Sequence, residues 1–283
     1  NVNILNCIIT NFSKGLEIYV GSGNISNNTI HENTVLDIDL SVNSGGGCVH
    51  SIYNNTGSGG RDILYANSQV TWSNQVASQI ILCNADGSSL TNMTVSGSDT
   101  LDNNELYSKF SDNLSIVNST SSGNYRGAYL RQGDEITVTG SNFSNNDGYG
   151  LYIYLSNNIT VDQNNIFNNS DGLHARYSTN LTVTANTISQ NTNSINAPID
   201  VSNSLIAHNF FSGASGNEIA TDGGYNNQFI NNSFSSAGLA FWFTDSYNNT
   251  LVDNTLTDVS YGFYFRGITN NNTINNTIIS GVT

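Results

Sequence analysis

The residues best suited to chemistry lie in short segments that each follow a glycine, such as Gly150-Leu151-Tyr152-Ile153-Tyr154. In these segments apolar side chains alternate with Tyr, His or Arg, so a strand that turns its apolar side chains inward turns the others outward together. Asp171 lies at the edge of the patch that neighbouring strands would share. The patch is predicted to contain Tyr129, Arg131, Tyr152, Tyr154, His174 and Arg176.

This patch is suited to binding a sugar by ring stacking, or to abstracting a proton through His174 or Tyr152. If the chain is an enzyme, the predicted catalytic set is Tyr152, His174, Arg176 and Asp171. An alternative is a contact face for another subunit, because Tyr and Arg are also enriched in interfaces. The patch lacks paired carboxylates, and Trp242, Tyr264 and Arg266 extend it along the chain, which favours a long contact stripe.

Acidic pairs suggest at most a calcium site. Asp37 and Asp39 share one predicted strand, and Asp134 adjoins Glu135. Carboxylate oxygens are suitable ligands for calcium, although solvated acidic side chains are the preferred interpretation. The other histidines, at 31, 50 and 208, are too scattered to form a zinc site. No cofactor is predicted.

These residues belong to a repeat. The stretch from Asn158 to Ile166 recurs from Asn180 to Ile188, one repeat period later. An asparagine marks nearly every turn, and we predict that it takes the left-handed backbone conformation and that its amide bonds to the next turn. The predicted ladder consists of Asn6, Asn28, Asn74, Asn118, Asn142, Asn164, Asn186, Asn209, Asn232, Asn254 and Asn276.

Three short strands with their turns account for a period of roughly 22 to 23 residues, and no window has helical periodicity. The prediction is therefore an all-β fold, a right-handed parallel β-helix of about 13 turns with three short strands per turn. The glycine before each third strand is expected to adopt a positive φ at a tight corner. We predict a single domain over residues 1–283, with irregular loops near 41–47, 56–61 and 98–112.

Composition excludes several classes of partner. The net charge is -14 with seven Lys and Arg residues, which argues against nucleic acid and against an anionic membrane surface. No apolar run is long enough to span a membrane. An odd set of cysteines, Cys7, Cys48 and Cys83, allows one intrachain disulfide at most, and three buried thiols are the alternative.

Sequons are dense, and they are candidate glycosylation sites if the chain is exported through a glycosylating pathway. The candidates are Asn11, Asn24, Asn92, Asn113, Asn158, Asn180, Asn231 and Asn248.

The recurring Asn-X-Thr-Ile phrase, with a Gly-apolar strand once per turn, resembles the parallel β-helix repeat family of the right-handed, pectin-lyase-like kind. Within that family the chain is most similar to secreted repeat proteins of archaeal cell surfaces. The resemblance implies the fold and says little about activity, because one scaffold hosts many functions.

The sequence has neither a polar cap nor a helix at either end, from Asn1 to Thr283. Head-to-tail stacking into a filament is one interpretation, and a piece of a longer β-helix is the other. The preferred function is a secreted, N-glycosylated structural protein at the cell surface. It would associate with itself and with glycans into a sheath, surface layer or extracellular filament. The alternatives are a carbohydrate-active enzyme (a polysaccharide lyase, hydrolase or epimerase) and a carbohydrate-binding or adhesin module.

Overall fold

The computed structural model describes residues 2–19 and 21–281. It shows a parallel β-solenoid of about 13 turns, as the repeat predicts, in which strands pair with their equivalents one turn away except at interruptions around the third turn. Asn1 and Thr283, at which the sequence begins and ends, lie outside the described residues. Among the described residues, no helix has the length and hydrophobicity required to cross a bilayer.

The first strand of each turn forms sheet 1, which has a three-stranded part and a ten-stranded part. Its strands are Val2–Leu5, Gly23–Ser26, Ser51–Tyr53, Thr71–Ser73, Ser89–Thr91, Ser115–Val117, Thr137–Thr139, Thr160–Asp162, Thr182–Thr184, Leu205–Ala207, Gln228–Ile230, Thr250–Val252 and Thr273–Asn275.

The second strands form sheet 2. They are Ile8–Thr10, Thr29–His31, Asn55–Thr56, Thr94–Val95, Thr120–Ser122, Asn142–Ser144, Asn165–Phe167, Thr187–Ser189, Phe210–Ser212, Ser233–Ser235, Thr255–Thr257 and Ile278–Ser280. In the fourth turn the long strand Val76–Cys83 begins in sheet 2, beside Thr94–Val95, and continues into sheet 3.

The third strands from the third turn onward form sheet 3, which carries the predicted patch. They are Asp62–Ala66, Val76–Cys83, Leu106–Lys109, Ala128–Arg131, Tyr149–Tyr154, Asp171–Thr179, Asn193–Ser202, Asn217–Asp222, Leu239–Thr244 and Tyr261–Arg266. The third strands of the first two turns, Lys14–Ile18 and Leu36–Leu40, pair with each other in a separate two-stranded sheet. Two short 3-10 turns, Gly45–Gly47 and Ser58–Gly60, lie within the irregular loops predicted near 41–47 and 56–61.

The predicted loop at 98–112 is wrong in its second half, because Leu106–Lys109 is the third strand of its turn. Leu106 packs in the main core, whereas Tyr107 is buried against a second cluster outside it. Both faces of this strand are covered, so its sequence lacks the simple alternation that identifies the other third strands.

An asparagine ladder exists at the corner between sheets 1 and 2. The Asn186 side-chain NH2 donates to Asn209 Oδ1 at 2.9 Å, and Asn209 in turn donates to Asn232 Oδ1 at 3.1 Å. Each Nδ2 also donates to a strand carbonyl, for example from Asn209 to Val183 O at 2.8 Å. The buried predicted members that bond in this way are Asn28, Asn164, Asn186, Asn209, Asn232 and Asn254.

The other predicted members are one residue out of register. Asn6, Asn74, Asn118 and Asn276 precede the ladder position and have φ between 46° and 54°. Asn142 follows it, and the Ser141 N–H donates to Asn164 Oδ1 instead, at 2.8 Å. We assigned both the left-handed conformation and the amide hydrogen bond to one residue. In the structure one residue has the left-handed conformation and the residue after it makes the amide hydrogen bond. The corner residue turns the chain, and the next residue points into the interior.

The glycines before the third strands do not have the positive φ that we predicted. Gly127, Gly150 and Gly172 are absent from the positive-φ glycines. A Cβ on Gly127 would lie 2.3 Å from Gly150 O, and one on Gly150 would lie 2.6 Å from Gly172 O. Close approach between turns therefore requires these glycines, not a special backbone angle.

The interior holds two cores. The main core runs through the turns from Ala66 to Val259. A second cluster joins the first two turns, through Ile38 and Leu40, to Ile81 and Tyr107 on the outer side of sheet 3. The first two turns therefore pack against the outside of the later turns.

Candidate functional site

The outer face of sheet 3 carries two rows of side chains. Leu130, Leu151, Ile153, Leu173 and Ala175 are buried in the main core, so the residues between them point outward. Strand register then aligns one residue per turn. The middle row is Tyr107, Tyr129, Tyr152, His174, Asn196, Ala220, Trp242 and Tyr264, and the second row includes Lys109, Arg131, Tyr154 and Arg176 in consecutive turns and, further on, Asp222, Thr244 and Arg266. We call this surface the sheet 3 face.

Aromatic rings stack along the middle row. The ring centroids of Tyr107 and Tyr129 are 5.3 Å apart, and those of Tyr129 and Tyr152 are 4.6 Å apart and nearly parallel. The Arg126 guanidinium lies 4.6 Å from the Tyr129 centroid, and Arg131 lies 5.4 Å from that of Tyr154. Planar rings beside cations form a surface suited to sugar rings and to anionic groups.

His174 and Asp171 form a buried pair in the eighth turn. His174 Nδ1 lies 2.7 Å from Asp171 Oδ2, and their side chains are 9% and 7% exposed. Asn196 and Asn193 also donate to Asp171, at 2.9 Å and 2.8 Å. Burial alone would raise the pKa of Asp171, but these hydrogen bonds from His174, Asn193 and Asn196 lower it. The ionised carboxylate therefore accepts the Nδ1 proton and leaves Nε2 as the basic nitrogen.

Two tyrosines enclose His174. The ring centroid of His174 is 4.5 Å from that of Tyr149 and 4.9 Å from that of Tyr152. Burial raises the pKa of Tyr152, and the neighbouring Arg176, which hydrogen bonds to it, opposes that rise. Burial also raises the pKa of Tyr149. Both phenols therefore stay protonated at neutral pH, where they can donate a hydrogen bond or a proton.

A cleft of about 330 Å³ lies at the side of this face that borders the first two turns. Lys14, Asp39 and Ser41 of the first turns line one wall, and Glu105 and Arg126 lie among the lining residues with the tyrosines. Arg126 Nη1 lies 3.3 Å from Glu105 Oε2, although that oxygen has no hydrogen-bond partner in the described part of the chain. Burial raises the pKa of Glu105 to about 7, against the opposing charge of Arg126.

A second recess, of about 250 Å³, lies further along the same face. Trp242 packs against Tyr264 with centroids 4.6 Å apart, and Arg266 and Asp222 flank the recess. Asn196, which donates to Asp171, also lines it. Asn196 therefore connects the lining of this recess to the pair of Asp171 and His174.

The structure thus places all the patch residues that we predicted on one surface, while their roles stay predictions. Sequence reasoning missed Glu105, Arg126 and Tyr149. Strand register pairs Tyr149 with Asp171, and Arg126 precedes Tyr149 by a further repeat period. The signal for Arg126 and Tyr149 was therefore this spacing from Asp171. Glu105 was hidden in the segment that we interpreted as a loop.

The candidate calcium ligands have protein partners. The Asp37 carboxylate accepts hydrogen bonds from Asn33, Ser58 and Asn104, and Asp39 lies 2.6 Å from Lys14 Nζ. Asp134 accepts from the Asn157 N–H at 2.8 Å, and Glu135 occupies a left-handed corner. Across residues 2–19 and 21–281, no three His, Cys, Asp or Glu side chains form a group able to hold a metal ion.

Cysteines and sequons fall at distinct places. Cys48 and Cys83 form a disulfide with a Cα–Cα distance of 5.5 Å, and Cys7 is exposed and free.

The sequon asparagine Asn24 lies on a strand and is half-buried. The seven other candidates are exposed at corners with positive φ: Asn11, Asn92, Asn113, Asn158, Asn180, Asn231 and Asn248.

Two family models match parts of the chain. One, described as a right-handed beta helix region, matches residues 79–198, and the other, described as a periplasmic copper-binding protein (NosD), matches residues 151–283. No curated protein matches the sequence.

Solved structures with the same fold include DFA-IIIase from Arthrobacter chlorophenolicus A6, at 14% identity and a TM-score of 0.61, over 93% of this chain and 76% of the enzyme. The A-module of the mannuronan C-5 epimerase AlgE6 from Azotobacter vinelandii is 16% identical with a TM-score of 0.52, over 92% of this chain and 65% of the module.

The Dettilon tailspike protein (gp208) is 14% identical with a TM-score of 0.59, and the match covers 89% of this chain but 55% of the tailspike. At such low identities these likenesses concern the fold alone. Together with the matched helix region they confirm the fold predicted from the repeat, a right-handed parallel β-helix, while the likeness to archaeal cell-surface proteins stays a prediction.

Proposed function

We propose that this chain is a carbohydrate-active protein that binds an anionic polysaccharide on the sheet 3 face and abstracts a proton from it with His174. The observation that carries the proposal is the position of the cations. The chain has a net charge of -14 and seven Lys and Arg residues. Five of them lie on the face or line its cleft and recess: Lys14, Arg126, Arg131, Arg176 and Arg266. An acidic protein that gathers its cations on one surface is suited to an anionic ligand.

The aromatic row supports a sugar ligand in particular. Tyr129 and Tyr152 present stacked rings next to guanidinium groups, an arrangement that combines apolar contact with charge recognition. One structural neighbour agrees with this choice, since it is a module of a mannuronan C-5 epimerase. The preferred sequence-based function, a structural sheath, does not account for this grouping of charge.

The pair of His174 and Asp171 defines the chemistry. In a uronate unit, the hydrogen on the carbon next to the carboxylate becomes more acidic when a cation neutralises that carboxylate. Arg176 supplies the positive charge, His174 Nε2 takes the proton, and Asp171 stabilises the imidazolium that forms. The electron pair then returns to the same carbon, with a proton from Tyr152 or Tyr149, or it expels the neighbouring glycosidic oxygen, which takes that proton. The first course is epimerisation and the second is elimination.

The test is proton exchange. Polyuronates are incubated with the protein in deuterated water, and NMR spectroscopy follows deuterium at the carbon next to the carboxylate. We expect exchange with the wild type and its loss in His174→Ala. The double variant Arg126→Gln with Arg176→Gln should lose affinity by about 100-fold or more, since each charged contact contributes about 1.5 to 3 kcal/mol. Arg61→Gln is the matched control, because Arg61 contacts Gly97 and Asp99 away from the face. Binding without exchange would disprove the enzymatic part, and no binding to any anionic glycan would disprove the whole proposal.

An exported location follows from the same proposal. The disulfide between Cys48 and Cys83 is typical of an oxidising compartment. One of the matching family models is named for a periplasmic protein. Exposed corner sequons provide positions for glycans if the compartment supplies them.

Assembly at a cell surface is the second candidate. It rests on aromatic side chains exposed along the length of the solenoid, where Tyr177 is 39% exposed, Phe210 43% and Tyr247 42%. Negative-stain microscopy tests it directly. Ordered assemblies that disappear in Phe210→Asp with Tyr247→Asp would support this candidate, whereas single rods at every concentration would contradict it.

A further inference from the structure

The first two turns close one end of the sheet 3 face. The strand Leu36–Leu40 lies against turns four and five, where the Asp37 N–H donates to Asn104 Oδ1 at 2.7 Å and the Ile38 N–H donates to Gln79 Oε1 at 3.1 Å. Lys109 Nζ donates to Val42 O, and the disulfide between Cys48 and Cys83 joins the same two bodies. Hydrogen bonds, a disulfide and an apolar cluster thus hold the first two turns in place as a cover over this end of the face.

Exposure differs between the two ends of the middle row. Tyr107, in turn five, is 5% exposed, whereas Tyr264, in turn twelve, is 45% exposed. Lys109, next to Tyr107 in the second row, is 1% exposed. Tyr129 and Tyr152 between these limits are half-buried and line the cleft. The face is therefore covered at the Tyr107 end and open at the Trp242 end, and we call the surface between them the groove, with its blind end at Tyr107.

The blind end is polar and holds incompletely bonded groups. Glu105 Oε2 and Nε of Arg126 and Arg131 are buried without hydrogen-bond partners among the described residues. Buried polar atoms without partners are rare and costly, so a polar ligand that draws these side chains into the cleft and completes their hydrogen bonds would be stabilised there. The cleft, at about 330 Å³, is at the lower end of the size range of small-molecule sites. It therefore suits the end of a chain, not a segment that must pass through.

We propose that this cleft binds the terminal unit of an anionic oligosaccharide, so that the protein recognises chain ends. The inference rests on the proposed function, because it assumes that the groove takes an anionic glycan. Arg126 and Arg131 pair with the acidic group of the terminal unit, and Tyr129 stacks on its ring. The chain then runs outward past His174, which lies two turns or about 10 Å beyond Tyr129. Trp242 and Arg266 contact later units near the open end.

The stoichiometry of binding tests this proposal. Calorimetry with homogeneous oligouronides of increasing length measures how many protein molecules bind each chain. We expect one protein per chain end of the recognised type, hence one per chain at every length, with a Kd per mole of chain that stays constant once the groove is filled. A ratio that rises in proportion to length would overturn end recognition while leaving the proposed function intact. Failure of every length to bind would disprove the proposed function, and this inference with it.

A variant that fills the cleft gives an independent test. Ser41 lines the cleft and its hydroxyl donates to Asp39 at 2.9 Å. Ser41→Trp should lower affinity by about 100-fold or more, while Ser41→Ala, which removes the hydroxyl without filling space, should change it less than threefold. Thermal unfolding shows whether each variant is folded. A folded Ser41→Trp protein that binds as the wild type does would overturn the proposal, because the terminal unit would then lie elsewhere.

Discussion

Sheet 1 and sheet 3 share one interior but differ on the outside. The strand Thr182–Thr184 of sheet 1 turns Val183 into the core and two threonines outward. The strand Asp171–Thr179 of sheet 3, in the preceding turn, buries Leu173 and Ala175 and turns His174 and Arg176 outward. The inward residues of both sheets are apolar, whereas the outward residues of the two sheets differ in charge, size and chemistry.

This difference shows how the fold separates stability from function. Amide ladders and apolar side chains specify the solenoid, and the outer side of sheet 3 is free to carry a site. Changes in the ladder should therefore alter stability and leave ligand binding in the folded protein unchanged. Changes on the sheet 3 face should do the reverse.

The largest expected effect is that of Asn209→Ala. Asn209 is 2% exposed; its Nδ2 donates to Val183 O, Ala207 O and Asn232, and its Oδ1 accepts from Asn186. Alanine leaves the Asn186 N–H and the Val183 carbonyl buried without this partner. Each such group costs about 1 to 3 kcal/mol, so the free energy of unfolding should fall by about 3 to 5 kcal/mol in denaturant titrations.

Thr182→Ala on the outside of sheet 1 is the control for this comparison, with an expected change within about 0.5 kcal/mol. Equal losses in the two variants would show that the ladder is not what holds the turns together. Tyr152→Ala should weaken ligand binding but destabilise the protein less than Asn209→Ala does.

The ladder also shows what the sequence reveals and what it hides. The constant repeat period determines the fold because backbone pairing between turns requires equal turn lengths. It does not say which of two neighbouring asparagines, such as Asn231 and Asn232, points inward. Asparagine suits both positions, the first for its tolerance of positive φ and the second for its amide.

The functional site, too, was predictable from the sequence only in part. Alternation within each third strand is a local signal, so the outward positions of Tyr152 and His174 were predictable. The partner of His174 was also within reach, because Asp171 lies three residues earlier on the same strand. The cleft was not predictable, since it depends on residues 67 positions apart, such as Asp37 and Asn104. Packing between residues so far apart in the chain leaves no periodic pattern in the sequence.

A second prediction concerns a buried acid in the scaffold. Glu218 is fully buried, and its carboxylate accepts hydrogen bonds from the Ala214 N–H and the Ser194 hydroxyl. Burial raises the pKa of Glu218 from its ordinary value of 4.5 to about 7, despite those two hydrogen bonds. The folded state therefore holds the proton more tightly than the unfolded state. The protonated Glu218 side chain therefore contributes fully to the free energy of unfolding below about pH 4.5. That contribution, on the order of 3 kcal/mol, is lost as pH rises through about 7.

Glu218→Gln should remove this part of the pH dependence, because the amide does not ionise. The measurement is the denaturation midpoint at pH values below 5 and near 8, and the difference between the two should be smaller in the variant than in the wild type. Asp222→Asn, at an exposed position on the same strand, is the control and should keep the wild-type slope. An unchanged slope in Glu218→Gln would show that Glu218 is ionised at neutral pH in the folded protein.

The smallest expected effect belongs to the sheet 3 face and concerns Glu105. Its pKa of about 7 means that the cleft gains a negative charge as pH rises through neutrality. The charged groups around it are Lys14, Asp39, Arg126 and Arg131, and burial lowers the pKa of nearby Lys109 to about 8. Affinity for an anionic oligosaccharide should therefore fall by about tenfold, or about 1.4 kcal/mol, between pH 6 and pH 7.5.

In Glu105→Gln that decrease should be smaller, because the residue stays neutral while Arg126 remains free to pair with the ligand. Wild type and variant are titrated at the same pH values, so that any pH dependence common to both proteins cancels in the comparison. If both proteins lost affinity equally as pH rose, Glu105 would not face the ligand, and the blind end of the groove would lie outside the binding site. If the variant bound more tightly than the wild type only above pH 7, burial would raise the pKa of one acid in the site, Glu105, and of one acid in the scaffold, Glu218. The first acid would then control ligand affinity, and the second would control the free energy of unfolding.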